Sequence, residues 1–189
     1  MNRLIIVGSP RVDGRSAALA EQLFEACVED CPEDEVALAP VATLDIGGCQ
    51  GCDLCREPDE DGAHRCVIEG DDMRELYALL DDADELVVVS PVYFAGPPAQ
   101  LKALLDRLQP YFWSDARADA KRPAVLHVVG EGGDPHGFEP LVGIVRSALA
   151  CAGFALLTVY DWVGKIDGDG QITAEADVRD AACEGQRRA

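Results

Sequence analysis

Four cysteines carry the densest chemistry in the chain: Cys49, Cys52, Cys55 and Cys66, in the pattern Cys-x2-Cys-x2-Cys-x10-Cys. Two successive two-residue gaps on a tight turn let three thiolates converge on one centre, as iron–sulfur ligation needs. Zinc is a less natural occupant, because its ligands more often come as two separated pairs. A thiol-lined loop that binds no metal is the remaining alternative. Cys27, Cys31, Cys151 and Cys183 lack partner spacing, and Cys27 and Cys151 read as small core residues.

A second candidate is the run Gly8-Ser9-Pro10-Arg11-Val12-Asp13-Gly14-Arg15-Ser16, between a short apolar segment and an amphipathic one. If a helix starts there, its free N–H groups and positive dipole end form an anion site. Ser9 and Ser16 can add hydroxyl donors, and Arg11 and Arg15 positive charge. The run contains neither Gly-x-Gly-x-x-Gly nor Gly-Lys-Ser/Thr, so it is not a dinucleotide or nucleoside-triphosphate fingerprint. The alternative is a polar turn with no ligand. Two more runs follow apolar segments: Pro91-Val92-Tyr93-Phe94 and Gly130-Glu131-Gly132-Gly133. The first could wall a planar ligand or be ordinary packing at a strand end. Asp167-Gly168-Asp169-Gly170 mimics part of a calcium loop. Aligning Gly170 with the invariant glycine puts Lys165 and Ala176 where the first and last carboxylates belong, so a hairpin turn is expected.

The elements around these runs alternate. Strands are expected at Arg3 to Val7, Glu35 to Leu44, Leu86 to Ser90, Pro123 to Val129 and Phe154 to Val163. Helices are expected from Gly14 to Cys31, from Asp71-Asp72 onward, from Pro97 to about Tyr111 and from Leu141 to Ala152, with a polar helix or tail over 175–188. The pattern is βαβαβαβαβ, a single α/β domain over 1–189 with a cysteine-rich loop at 47–70. It implies a doubly wound five-stranded parallel sheet of order 2-1-3-4-5 with helices on both faces. That order puts a ligand crevice at the C-terminal ends of strands one, three and four, where the loop glycines and prolines fall.

A formal net charge of −19 repels nucleic acid and anionic lipid, so neither is an expected partner. Leu4-Ile5-Ile6-Val7 is too short for a signal core, and no apolar stretch reaches the length of a membrane span. A cytoplasmic location is expected. Eight cysteines in that reducing compartment point to metal or redox chemistry rather than a disulfide framework.

Three segments in order resemble the NADPH-dependent FMN reductase family, and within it the iron–sulfur flavoprotein branch. They are Gly8-Ser9-Pro10-Arg11…Gly14-Arg15-Ser16, then Gly48-Cys49-Gln50-Gly51-Cys52-Asp53-Leu54-Cys55…Cys66-Val67-Ile68…Asp71-Asp72-Met73, then Ser90-Pro91-Val92-Tyr93-Phe94…Gln100-Leu101-Lys102…Asp106-Arg107. The resemblance covers roughly residues 3–112. Arg15 departs from it, standing where the family usually has Asn, and the gap before Cys66 is longer than in the branch.

The resemblance implies a flavodoxin-like fold and FMN as cofactor. Its phosphate would lie on Ser9, Arg11, Gly14, Arg15 and Ser16, and its ring along Pro91, Val92, Tyr93 and Phe94, with Gly130, Glu131, Gly132 and Gly133 at the ring's polar edge. It implies a [4Fe–4S] cluster on Cys49, Cys52, Cys55 and Cys66, and NAD(P)H or a reduced carrier as electron donor to a small-molecule or protein acceptor. The flavin carries the chemistry, so no protein catalytic residue is nominated. A non-catalytic electron carrier serving protein partners is the alternative reading. Three adjacent aromatics, Tyr111, Phe112 and Trp113, cannot all face one core. They point to a homodimer or homotetramer, or else to a cap on the chain's own loops.

Overall fold

The computed structural model describes residues 1–173 and 178. Apart from Val178, the segment expected as helix or tail lies outside them, as does Cys183. Five strands form one sheet: β1 (Asn2–Val7), β2 (Glu35–Pro40), β3 (Glu85–Pro91), β4 (Arg122–Val129) and β5 (Phe154–Asp161). Their order is β2-β1-β3-β4-β5 and every neighbouring pair is parallel, the topology expected from the alternating pattern. The connections carry α1 (Arg15–Asp30), α2 (Met73–Asp82), α3 (Ala99–Asp106), α4 (Gln109–Trp113) and α5 (Glu139–Cys151).

Side chains alternate across a strand, so each central strand feeds two cores. Leu4, Ile6, Leu86 and Val88 share one with Leu76 of α2, Leu104 of α3 and Val145 of α5. Ile5, Val7, Val87 and Val89 share the other with Leu19 and Leu23 of α1. Burial on both faces is why β1 and β3 read as unbroken apolar runs.

Two expected elements come out shorter. The single helix from Pro97 to Tyr111 is two, because a helix continuing through Pro110 would set its ring against the Asp106 carbonyl. The chain instead ends α3 at Asp106 and restarts with Pro110 in the first turn of α4. Strand β2 stops at Pro40, whose carbonyl accepts a turn hydrogen bond from the Thr43 amide. The calcium-like run is the expected turn: Ile166 and Ile172 pair antiparallel, and the Asp167 carboxylate accepts from the Asp169 and Gln171 amides. Among the described residues, no helix is long and apolar enough to cross a membrane.

Candidate functional site

The loops after β1, β3 and β4 and the end of β5 enclose a crevice of ≈ 580 Å³, within the usual size for a cofactor site. Ser9, Arg11, Gly14, Arg15 and Ser16 line one wall, Pro91, Val92 and Tyr93 another, and Gly130, Glu131, Gly132 and Gly133 a third. The first wall is set by close packing at Gly8. Its amide donates to the Val89 carbonyl at 2.7 Å, and a Cβ there would lie 2.5 Å from Leu101 Cδ2 of α3. Only glycine lets the helix approach that closely. The Ser9 hydroxyl accepts from the Arg11 amide at 3.1 Å and holds the turn. Gly14 then caps α1 with φ 104°, no side chain caps the helix, and no acidic residue occupies its first turn. The first amides of α1 therefore have no intrahelical acceptor and no competing carboxylate from their own turn.

Arg15 is engaged across the crevice. Its Nε donates to the Ile166 carbonyl at 2.9 Å, and its guanidinium pairs with Glu131 at 2.8 Å. It thus braces the β1 loop against the segments after β4 and β5. Other crevice carboxylates are tied into the walls as well. Asp134 accepts from the Ala95 amide at 3.0 Å and the His136 amide at 2.8 Å, and Asp161 from the Val163 amide at 2.8 Å.

The second wall ends in a tight turn in which Tyr93 and Gly96 exchange both backbone hydrogen bonds, at 2.9 and 3.0 Å. Phe94 and Ala95 inside it adopt φ of 50° and 62°, the left-handed region that costs a side-chain-bearing residue ~1–2 kcal/mol. The turn persists because its surroundings over-determine it: Asp134 holds the Ala95 amide, and the Leu141 amide of α5 donates to the Ala95 carbonyl at 3.0 Å. This geometry turns Phe94 fully outward, so it alone of the expected crevice residues is not a wall.

The cysteine loop makes a second cavity, of ≈ 390 Å³, lined by Cys49, Cys52, Cys55 and Cys66 together with Asp53, Ile68 and Arg107. Left-handed backbone at Gly51 and Asp53 folds the first three cysteines into a compact curl closed by a 3-10 turn, Leu54–Arg56. Burial raises the Cys55 thiol above its ordinary pKa, and the neighbouring Cys66, Cys49 and Cys52 thiols add to the rise. Among the described residues, no three His, Cys, Asp or Glu side chains stand close enough to hold a metal ion. The four thiols surround the cavity instead of meeting at a point.

Both ends of the loop are fastened at one buried residue. Arg107 donates to the Gly47 carbonyl at 3.0 Å, the Ile68 carbonyl at 3.2 Å and both Asp71 oxygens, at 2.6 and 3.3 Å. Asp71 accepts in turn from the Gly47 amide at 3.2 Å, while Asp45 and Asp72 exchange two further hydrogen bonds. Burial disfavours the Asp71 charge, but the hydrogen bonds from Arg107 and from the Gly47 and Met73 amides, with the Arg107 charge, together outweigh it and hold the carboxyl below its ordinary value. The Tyr77 hydroxyl donates to the Arg107 carbonyl, and Arg56 lies over the Trp113 ring at 5.2 Å. That stack caps part of the aromatic trio. Tyr111 is half-buried with its hydroxyl on Asp81 at 2.6 Å, and Phe112 and Trp113 keep exposed surface.

His127 is a fully buried residue of β4. Its Nδ1 accepts from the Trp162 indole N–H at 2.9 Å, so the ring is neutral with its proton on Nε2. Burial pushes its pKa down to about 3. Asp13 lines the crevice as part of the first candidate loop, and the crevice residues that the sequence did not single out are Val129, Asp134, Gly137, Phe138, Asp161 and Val163. Asp161 and Val163 sit at the end of β5, which strand order alone brings beside β4. Asp134 and Gly137 follow the glycine run and had no spacing signal of their own.

A doubly wound parallel sheet with a ligand-sized crevice at the C-terminal ends of its strands places the protein in the flavodoxin-like class. A sequence profile of NADPH-dependent FMN reductases matches residues 1–153, and the chain belongs to that family. Similar proteins include an iron–sulfur flavoprotein of Methanocaldococcus jannaschii, 36% identical over 105 residues (56% of this chain, 50% of the relative). Another, from Archaeoglobus fulgidus, is 36% identical over 136 residues, covering 72% of this chain and 64% of the relative. The chain spans about half the length of the first curated relatives it matches. Among solved structures, an NADH:FMN oxidoreductase superposes with a TM-score of 0.62 at 23% identity, covering 99% of this chain and 87% of that one. An NAD(P)H:quinone oxidoreductase from Methanothermobacter marburgensis superposes at 0.61 and 19% identity, covering 100% and 96%. At these identities the superpositions speak for the fold.

Proposed function

We propose that the chain, as one domain over 1–189, binds FMN in the crevice and acts as an FMN-dependent oxidoreductase. It would take electrons from NAD(P)H and pass them to a small-molecule or protein acceptor. The observation that carries the reading is the uncapped start of α1 opening into the same crevice as Tyr93 and the glycine run. An anion held on the α1 amides, Ser9, Ser16 and Arg11 would fix one end of a ligand, and Pro91–Tyr93 and Gly130–Gly133 supply the crevice's other walls for the rest of it. When bound, FMN would supply a hydride acceptor at N5 and would pass on the two electrons so gained either one at a time or as a pair. The chain's own task is to orient and seal. Val92 and Tyr93 offer an apolar wall, and Gly132 and Gly133, with φ of 93° and 88°, give the third wall a backbone course that side-chain-bearing residues rarely adopt. The Arg15–Glu131 pair braces the two sides.

The four-thiol cavity is the proposed site of a [4Fe–4S] cluster, held by Cys49, Cys52, Cys55 and Cys66. A cluster spreads its ligands over four irons and suits thiols set around a cavity, whereas one zinc ion needs sulfurs only about 3.8 Å apart at a Zn–S distance of ~2.3 Å. The names of the similar iron–sulfur flavoproteins support it. The exposed Phe112 and Trp113 favour assembly into a homodimer or homotetramer, and free thiols suit a cytoplasmic setting. The −19 charge favours a second reading, an electron carrier with protein partners. Anaerobic stopped-flow mixing of the FMN-loaded protein with NADH and NADPH separates them. Bleaching of the flavin band within seconds by either nucleotide is the expected result. Reduction by dithionite alone would make the protein a carrier.

A further inference from the structure

We infer that Arg107 is the positioning residue of the cysteine site: with Asp71 it pins the two ends of the loop and sets a fixed positive charge beside the thiol cavity. This rests on the cluster reading of the four cysteines. The geometry is unusual in how much converges on one guanidinium. Gly47 lies two residues before Cys49 and Ile68 two residues after Cys66, and Arg107 holds both carbonyls while pairing with Asp71 through two nitrogens. Cys66 lies beyond the insertion 56–65, whose only described ion pairs are internal, from Arg65 to Asp59 and Asp61. The insertion also closes on itself, with a His64 ring nitrogen 3.0 Å from the Cys55 carbonyl. The neck closes the larger loop from Gly47 to Ile68, and Arg107 lines the cavity inside it.

The charge has a second consequence. A cluster ligated by four thiolates is anionic and becomes more so on reduction, and its potential follows the charge and hydrogen bonding around it. Arg107 is buried, with its side chain 1% exposed against 11% for Asp71, so solvent screens it poorly. Its Nε is buried with no partner among the described residues. Removing the arginine charge should therefore favour the oxidised cluster, and removing the Asp71 charge the reduced one. A residue that merely stabilised the fold would move both variants in the same sense.

The test uses the full FMN-loaded protein with Arg107→Gln, Arg107→Lys and Asp71→Asn. In metal-free protein, amide exchange at Asp45, Gly47 and Asp72 should accelerate at least tenfold in Arg107→Gln while exchange in the β1 and β3 strands stays unchanged. After anaerobic reconstitution, the ratio of reduced to oxidised cluster at a fixed poise should fall at least threefold in Arg107→Gln and rise at least threefold in Asp71→Asn. Arg107→Lys, keeping charge without the fork, should loosen the neck yet hold the ratio within twofold. If Arg107→Gln does not fold, Arg107→Lys carries the exchange test and Asp71→Asn the charge test. Unchanged neck exchange overturns the clamp, and shifts of one sign in both charge variants overturn the electrostatic role. If wild-type protein takes up no iron while the neck loosens as expected, the cluster reading fails and the clamp stands.

Discussion

The two cavities of this molecule are built by different means. The crevice is a product of the sheet: its walls are the last residues of β3, β4 and β5 and the loops past the ends of β1, β3, β4 and β5, and their positions follow from strand order. The cysteine cavity hangs outside the sheet between β2 and α2, and a buried polar cluster contributed by α3's end gives it shape. A site made by sheet topology tolerates change in any one side chain. A site made by a few long-range hydrogen bonds depends on each of them, because a buried charge left without its partner costs several kcal/mol.

The largest expected effect exploits that independence. Cys52→Ala should lose all iron and sulfide after anaerobic reconstitution while FMN affinity stays within twofold. Equal iron in variant and wild type would show that the four cysteines are not a cluster site. Next comes a property of the sheet itself. The folded His127 stays neutral down to about pH 3, whereas the unfolded imidazole protonates near 6.5. The contribution of His127 to stability is thus complete above pH 6.5 and is lost as pH falls toward 3. Between pH 7.5 and 5 the wild type should lose about 2 kcal/mol that His127→Gln does not, at ~1.36 kcal/mol per pH unit. Parallel urea midpoints for the two proteins would remove His127 from the account.

In the crevice, replacing Arg11 and Arg15 together by Ala should weaken FMN at least tenfold, since charge-assisted contacts are worth ~1.5–3 kcal/mol each. The single variants sharpen this. Arg15 is already committed to Ile166 and Glu131, so Arg11→Ala should account for the larger share in a fluorescence titration. The smallest effect is at the strained turn. Phe94→Gly buries nothing less and relieves a left-handed side chain, so urea denaturation should show a gain of about 0.5–1 kcal/mol after glycine's extra chain entropy. A loss would mean the exposed ring has a partner in solution.

The same contrast explains what the sequence disclosed. Parallel strands buried on both faces print as apolar runs, so β1 and β3 were legible, and with them the loops that wall the crevice. Phe94 was misplaced because its orientation depends on a left-handed turn enforced from a distance by Asp134 and Leu141. Asp134, Asp161 and Val163 entered the crevice through tertiary proximity, which no local spacing encodes. Arg107 and Asp71 were visible as motif letters with no role, since their partners are 36 residues apart in the chain. Pro110 was in plain view, and its consequence for the helix after β3 follows from the missing N–H and the ring clash alone.

The central claim is that the start of α1 holds a phosphate monoester. Titrating flavin-free protein with FMN and with riboflavin, following quenching of flavin fluorescence, tests it most directly. At least two charge-assisted contacts of ~1.5–3 kcal/mol each predict that FMN binds one per chain and at least a hundredfold more tightly than riboflavin. Equal affinities for the two would contradict the account.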